Sequence, residues 1–355
     1  MASIAAHVDE IVIVDTGSTD STLAIARSYD ATVLERVWRN DFAWARNEAL
    51  AAASGDWILY IDADERLILP DGGDLAEGLD PADILAARVG FRPKVNSTPF
   101  REHRLFRNSP RIRFRGTMHE TVMPDLALLI KETGGRVVDT RAEIQHLGYE
   151  GEQSHKHARN LPLLRAALKR EPGRLYYWHH LVSTLEAIGE VDEAMVTATK
   201  VAERMRQTEP TGMERPIASL LLCTYARLLH ARGHDAMPEI EAGLAYYPEH
   251  AYLRLIKAQV LIDRNEPALA ITILEELAAI DGATYADETL SHDRRIFDVW
   301  AHDLLGVALL RLGRRNEAAA SFERAAAGAP DDLSYKAKAL AIRPSSGSLG
   351  KAANS

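Results

Sequence analysis

The chain has 355 residues, 46% of them hydrophobic and 26% charged, with a net charge of −9. The length exceeds one typical domain, the composition is globular, and the acidic balance argues against a general nucleic-acid binder, which carries a basic surplus. One cysteine, Cys223, excludes an internal disulfide framework and suits a reducing cytosol; no run of 18 apolar residues spans a bilayer, and no positive region followed by an apolar core opens the chain.

Taken in order, "IVIV" (11–14) and "WILYID" (57–62) are near-continuous apolar runs, the pattern of strands covered on both faces. A short strand, "ATVLE" (31–35), is predicted between them. One helix is expected through "TDSTLAIARSY", with Ser18 as its N-cap. A second is expected through "DFAWARNEALAAAS", opened by Asp41 and closed by Gly55. This alternation predicts an α/β domain with crossover helices. Residues 84–147 hold shorter strand candidates: "ILAARVGF", "HRLFR", "RIRFR", "RVVDT" and "EIQHL".

From about residue 152 the rhythm is helical. Leu305, Gly306, Ala318, Phe322, Ala325 and Pro330 fall at the offsets of a tetratricopeptide repeat. There small Gly306 and Ala318 let two helices approach while Phe322 fills the gap beside them. Trp178, Leu181, Gly189 and Ala194 repeat the pattern, and weaker units pass through Gly233 and Ala270. Such units bury their apolar faces only by stacking on neighbours. The plainer alternative is a generic helical bundle. The expected boundaries are 1–150, 151–335 for the repeats, and a flexible tail at 336–355.

Four groups of residues can carry chemistry. Asp15 closes the first strand, where parallel sheets place ligands, and Ser18 follows it; together they either contact a nucleotide or only shape the turn. Asp62 and Asp64 in "YIDADER" point to one side of an extended segment. Two such carboxylates suit Mn²⁺ or Mg²⁺ bridged to a diphosphate, or else form a solvated acidic loop. Arg46, with Asn47 beside it, suits a base carbonyl or a phosphate, or a surface ion pair. Finally, residues 88–115 hold eight arginines and Lys94 against one acid, Glu102. In "RIRFRG", Arg111, Arg113 and Arg115 alternate with Ile112 and Phe114, either as a solvated face or as a cationic wall. The pairs His155/His157 and His179/His180 read as packing or surface residues rather than zinc ligands.

"VDTGSTDST", "ARNEALAAASGDWILYIDADE", "RIRFRGTMHE" and "HLGY" together resemble a branch of the family 2 glycosyltransferases, inverting enzymes of the GT-A fold, that carries tetratricopeptide repeats. The resemblance implies a GT-A-like mixed sheet followed by an all-α repeat domain. It implies that Asp15 and Arg46 contact the nucleotide base, that Asp62 approaches the ribose, and that Asp64 binds the metal. The donor is expected to be a nucleotide sugar, UDP-linked by resemblance. For the acceptor-activating base the candidate is Glu120, with Glu65 competing; His119 or His146 is a further candidate for the metal or the diphosphate. The expected activity is a metal-dependent, inverting transfer of a sugar in the cytoplasm. The repeats are expected to recruit a protein or peptide partner or a second copy of the chain. A non-catalytic repeat scaffold with a relic transferase domain is the rival reading. Members of the family begin with a strand and loop ahead of the helix leading into "VDEIVIVD". The natural product is therefore expected to carry about 25–40 further residues, the size of a strand, loop and helix.

Overall fold

In the computed structural model the described residues are 1–70, 72–147 and 154–342. They fall into two compact units, Met1–Leu221 with Ala286–Ser291, and Leu222–Tyr285 with His292–Ser355. Gly148 and Tyr149 of "HLGY", the His155 side chain and residues 343–355 lie outside the described set.

The first unit opens with β1 (Val12–Asp15), α1 (Thr22–Arg27) and β2 (Thr32–Glu35), and β1 pairs with β2 in parallel. Helix α2 (Phe42–Ala52) leads to β3 (Trp57–Leu59), β4 (Glu65–Ile68), β5 (Ile84–Arg92), β6 (Phe100–Arg107), α3 (Met123–Thr133) and β7 (Arg136–His146). These strands form a mixed sheet in the order β3-β6-β5-β7-β4, antiparallel except for the β5–β7 pair. The strands thus form two separate sheets, and among the described residues β1 and β3 each have a strand partner on one side only. Glu10, just ahead of β1, bridges towards the turn before β3, where its carboxylate accepts the Gly55 amide at 2.8 Å. Central β5 is buried on both faces. Ala86 packs with Phe106, Ile112, Phe114 and Leu126, while Ala87, Val89 and Phe91 pack with Ile4, Leu67, Leu79 and Ile144.

Several expectations shift. Helix α1 starts at Thr22, whose amide is taken by the Asp20 carboxylate, so Ser18 caps no helix. Asp41 does cap α2, accepting the Trp44 amide at 2.9 Å, but α2 ends at Ala52, short of Gly55. "RVVDT" and "EIQHL" are one strand, β7. "RIRFR" is extended without a ladder: Ile112 and Phe114 are buried as the alternation requires, yet only Arg115 bridges, to Thr121.

Helices α4 (Ser154–Arg170), α5 (Leu175–Ala187) and α6 (Val191–Gln207) belong to the first unit; α7 (Glu214–Ala231) follows. The second unit holds α8 (Met237–Tyr246), α9 (Ala251–Asp263), α10 (Pro267–Ala278), a π turn at Ile296–Trp300, α11 (Ala301–Arg311), α12 (Arg315–Gly328) and α13 (Leu333–Ile342). These are tetratricopeptide-like helix pairs. Ala194, Ala270 and Ala318 are each fully buried at the equivalent place on a second helix. A Cβ on Gly306 would sit 2.7 Å from the Phe322 ring, which is the close approach the sequence predicts. The turns between paired helices need a left-handed residue, supplied by Gly313 at φ 76° and, between α9 and α10, by Asn265 at φ 63°. Residues 336–342, expected in the tail, continue α13, since Ala339 and Ile342 are buried. Cys223 is buried, which pushes its thiol up to about 12.

Candidate functional site

Beyond β3 the chain enters a turn rather than an extended run. The Glu65 amide donates to the Asp62 carbonyl at 3.0 Å, and the Asp62 amide donates to the Glu65 carboxylate at 2.7 Å. This turn gives the two aspartates different partners instead of a common side. Asp62 accepts from Nη2 of Arg46 at 2.6 Å, whereas Asp64 lies 3.2 Å from Nε2 of His146, the last residue of β7.

Arg46, on α2, also donates through Nε to Oε1 of Glu120, 74 residues along the chain. Three of the sequence candidates therefore meet in one cluster. Its guanidinium lies 5.1 Å from the Tyr60 ring centre and 5.4 Å from that of Phe114. Desolvation works against its charge, but the attraction of Asp62 and Glu120 prevails and holds its pKa above the ordinary value. The cluster opens on one side only: the Asp62 side chain is 42% exposed and that of Glu120 is 9%. Oε2 of Glu120 makes no hydrogen bond among the described residues. Asn47, one residue after Arg46, pins the strand-like segment beneath, its amide group exchanging two hydrogen bonds with the Phe114 backbone at 2.9 and 3.0 Å.

Below lies a second ion cluster that local sequence patterns did not signal. Glu65, its side chain fully buried, accepts both Nη1 and Nη2 of Arg104, at 3.0 and 2.9 Å, and Arg104 also donates to Glu102. Burial raises the Glu65 pKa against the pull of Arg104. Glu65 is thus enclosed, whereas in the open cluster Oε2 of Glu120 and Oδ2 of Asp62 both make no hydrogen bond among the described residues. The Tyr60 ring lies between the two arginines, 4.7 Å from Arg104.

Asp15 is buried at the end of β1. Its carboxylate takes the amides of Gly17 and Ser18 at 3.0 and 3.1 Å, and its pKa is lowered chiefly by the Ser18 hydroxyl. Among the described residues no hydrogen bond or ion pair links it to Arg46, Asp62 or Glu120. All eight arginines of 88–115 find acceptors within the molecule. Arg111 pairs with Glu132, Arg115 with Asp125, and Arg88 with Asp139 and Glu288. Arg92 pairs with Glu143, Arg104 with Glu65, and Arg101, Arg107 and Arg113 with backbone carbonyls. Five of the eight are thus paired with carboxylates and three are tied to carbonyls, so the stretch is bonded into the fold rather than standing as a free cationic wall.

A divalent cation has a modest protein donor set here. Asp64 and His146, 3.2 Å apart, would offer one carboxylate and one imidazole, and among the described residues no cluster of three or more His, Cys, Asp or Glu stands ready. Two protein ligands fit a cation that arrives with a diphosphate and keeps phosphate and water oxygens. The His119 ring stacks on that of His180 at 3.7 Å, and among the described residues no hydrogen bond or ion pair links it to Asp64 or His146.

Residues 1–128 match the family described as Glycosyl transferase family 2. The chain is 35% identical over 243 residues to a TPR repeat-containing protein of Synechococcus elongatus, covering 66% of this chain and 58% of that protein. It is 27% identical over 173 residues to the glycosyltransferase SunS of Bacillus subtilis, covering 46% and 40%. Over 131 residues it is 37% identical to the lipopolysaccharide core biosynthesis glycosyltransferase LpsC of Rhizobium meliloti, covering 33% and 48%. The chain therefore spans about half the length of these relatives. Among solved structures it is similar to a tetratricopeptide repeat protein of Parabacteroides merdae, at a TM-score of 0.40 and 14% identity, covering 54% of this chain and 69% of that one.

Proposed function

We propose, from the match of residues 1–128 to Glycosyl transferase family 2, that the protein moves a sugar, with inversion, from a nucleotide donor to an acceptor hydroxyl. The observation that carries this reading is the cluster at the end of β3, in which Arg46 joins Asp62 to Glu120 while Asp64 meets His146. In the proposed reaction Oε2 of Glu120 takes the acceptor's proton. The acceptor oxygen bonds to the anomeric carbon as the bond from that carbon to the diphosphate oxygen breaks. Arg46 orients Glu120 through its Nε, and its Nη1, without a hydrogen bond among the described residues, is left for the nucleotide. Asp62 is proposed to meet the ribose, and Asp15 with Ser18 the base. Asp64 and His146 would hold Mn²⁺ or Mg²⁺, which supplies charge neutralisation for the leaving diphosphate. A UDP-sugar is the proposed donor and the cytoplasm the proposed location. Among the described residues no helix is long and apolar enough to cross a membrane. The repeat helices are proposed to bind a protein or peptide partner, or to pair two copies of the chain.

One observation favours the scaffold reading: the Asp15 carboxylate is already satisfied by its own turn. Incubation with Mn²⁺ and a panel of UDP- and GDP-sugars, followed by measurement of released nucleoside diphosphate, separates the two. Release that is lost in Asp64→Ala supports the transferase. No release and no nucleotide binding from any donor would leave the scaffold.

A further inference from the structure

The segment that carries Glu120 is held from two directions. At its base Arg115 and Thr121 exchange backbone hydrogen bonds at 2.9 and 3.0 Å, and the Phe42 amide of α2 donates to the Thr117 carbonyl at 3.0 Å. At its tip it meets the first repeat pair. Nη2 of Arg174, the residue ahead of α5, donates to the His119 carbonyl at 2.9 Å. Nη1 of the same side chain donates to the Tyr177 hydroxyl at 2.7 Å. The Arg174 guanidinium lies 4.3 Å from the Tyr177 ring centre. His119 stacks on His180 at an interplanar angle of 18°, with Tyr176 at its edge.

The approach is close enough to dictate residue type. Gly116 sits at φ +95°, and a Cβ there would lie 2.7 Å from the Tyr177 hydroxyl. His119 itself adopts φ +47°, a conformation that costs on the order of 1 kcal/mol and persists only where the surroundings enforce it. The enforcing groups lie 55 or more residues away, on α5 and just before it. The first compact unit accordingly runs to Leu221, well past the 128 residues that match the transferase family.

We propose that Arg174, Tyr177 and His180 form a clamp that positions the Gly116–Glu120 segment, so that the first repeat pair is a working part of the site. The proposal rests on the reading of Glu120 as the base. The three residues are positioning residues: they touch the loop, not the reacting atoms. Desolvation holds His119 and His180 well below the ordinary imidazole range, so the stack is neutral near pH 7.

The test uses the full chain as wild type, Arg174→Ala, Arg174→Lys and His180→Ala. Amide hydrogen exchange over 116–121 is expected to speed up tenfold or more in Arg174→Ala and His180→Ala, with α9–α12 unchanged. With Mn²⁺ and UDP-sugars, kcat is expected to fall about tenfold while the donor KM stays within twofold. Arg174→Lys, which keeps charge but not the two-pronged fork, is expected to recover part of kcat. Unchanged exchange at 116–121, exchange that rises throughout the chain, or a KM that rises in step with the loss of kcat would each overturn the clamp. If the wild type turns over no donor, the role of Glu120 falls, and the exchange result still decides the clamp.

Discussion

Two arginines share the ring of Tyr60, each gripping two carboxylates, yet they do opposite things. Arg104 holds Glu65 and Glu102 where no solvent reaches Glu65; Arg46 holds Asp62 and Glu120 with Asp62 open to water. A buried pair contributes little net stability but is costly to break, because the surviving charge is left without partner or solvent. A half-open pair is cheaper to exchange for a ligand. The difference bears on where binding is proposed: the enclosed cluster fixes the floor, and the open one is the cluster proposed to meet the substrate.

The comparison can be broken most directly at Glu120. Glu120→Gln keeps shape and hydrogen bonding but removes the proposed base, and turnover is expected to fall about 10²–10⁴-fold with little change in the unfolding midpoint. A loss of stability comparable with that of the enclosed cluster would erase the distinction. Arg104→Ala should do the reverse, lowering the urea-extrapolated folding free energy by roughly 3–5 kcal/mol through the stranded Glu65 carboxylate. Arg46→Ala is expected to cost less stability than Arg104→Ala and more activity.

Acid provides the next contrast. His119 and His179 are each lowered to about 4 by desolvation, while the unfolded chain has its imidazoles near 6.5. Between those values the unfolded state binds more protons. Stability should therefore be fully present above about pH 6.5 and decline as pH falls towards 4, by an order of 1–3 kcal/mol. Thermal melts from pH 7.5 to 4.5 measure it, and His179→Phe should flatten the slope. The smallest effect is expected at Arg111, whose ion pair with Glu132 is more than half exposed on both sides. Arg111→Ala should change the folding free energy by less than about 0.5 kcal/mol, setting the scale for a solvated pair.

Much of this could be read from local pattern. β1, β2, the Asp41 cap and the Gly306–Phe322 contact follow from apolar runs, cap chemistry and repeat offsets, all of which act within a few residues. What could not be read depends on pairing across the chain. The divergence of Asp62 and Asp64 comes from a turn closed by Glu65, whose own place is set by Arg104, 39 residues away. "RIRFR" alternates like a strand because Ile112 and Phe114 enter the core, but its backbone is satisfied by side chains, the Arg113 amide by Asp125 and the Phe114 amide and carbonyl by Asn47, in place of a ladder across most of it. The division of the strands into two sheets and the grip of Arg174 on His119 leave no periodic trace at all.

The lone thiol offers a different vantage. Cys223 is enclosed in the second unit and protonated at any ordinary pH, so it is inert while that unit stays shut. Any alkylation there must wait for the helices to part, which makes the natural chain its own reporter of local breathing, with no engineered label needed.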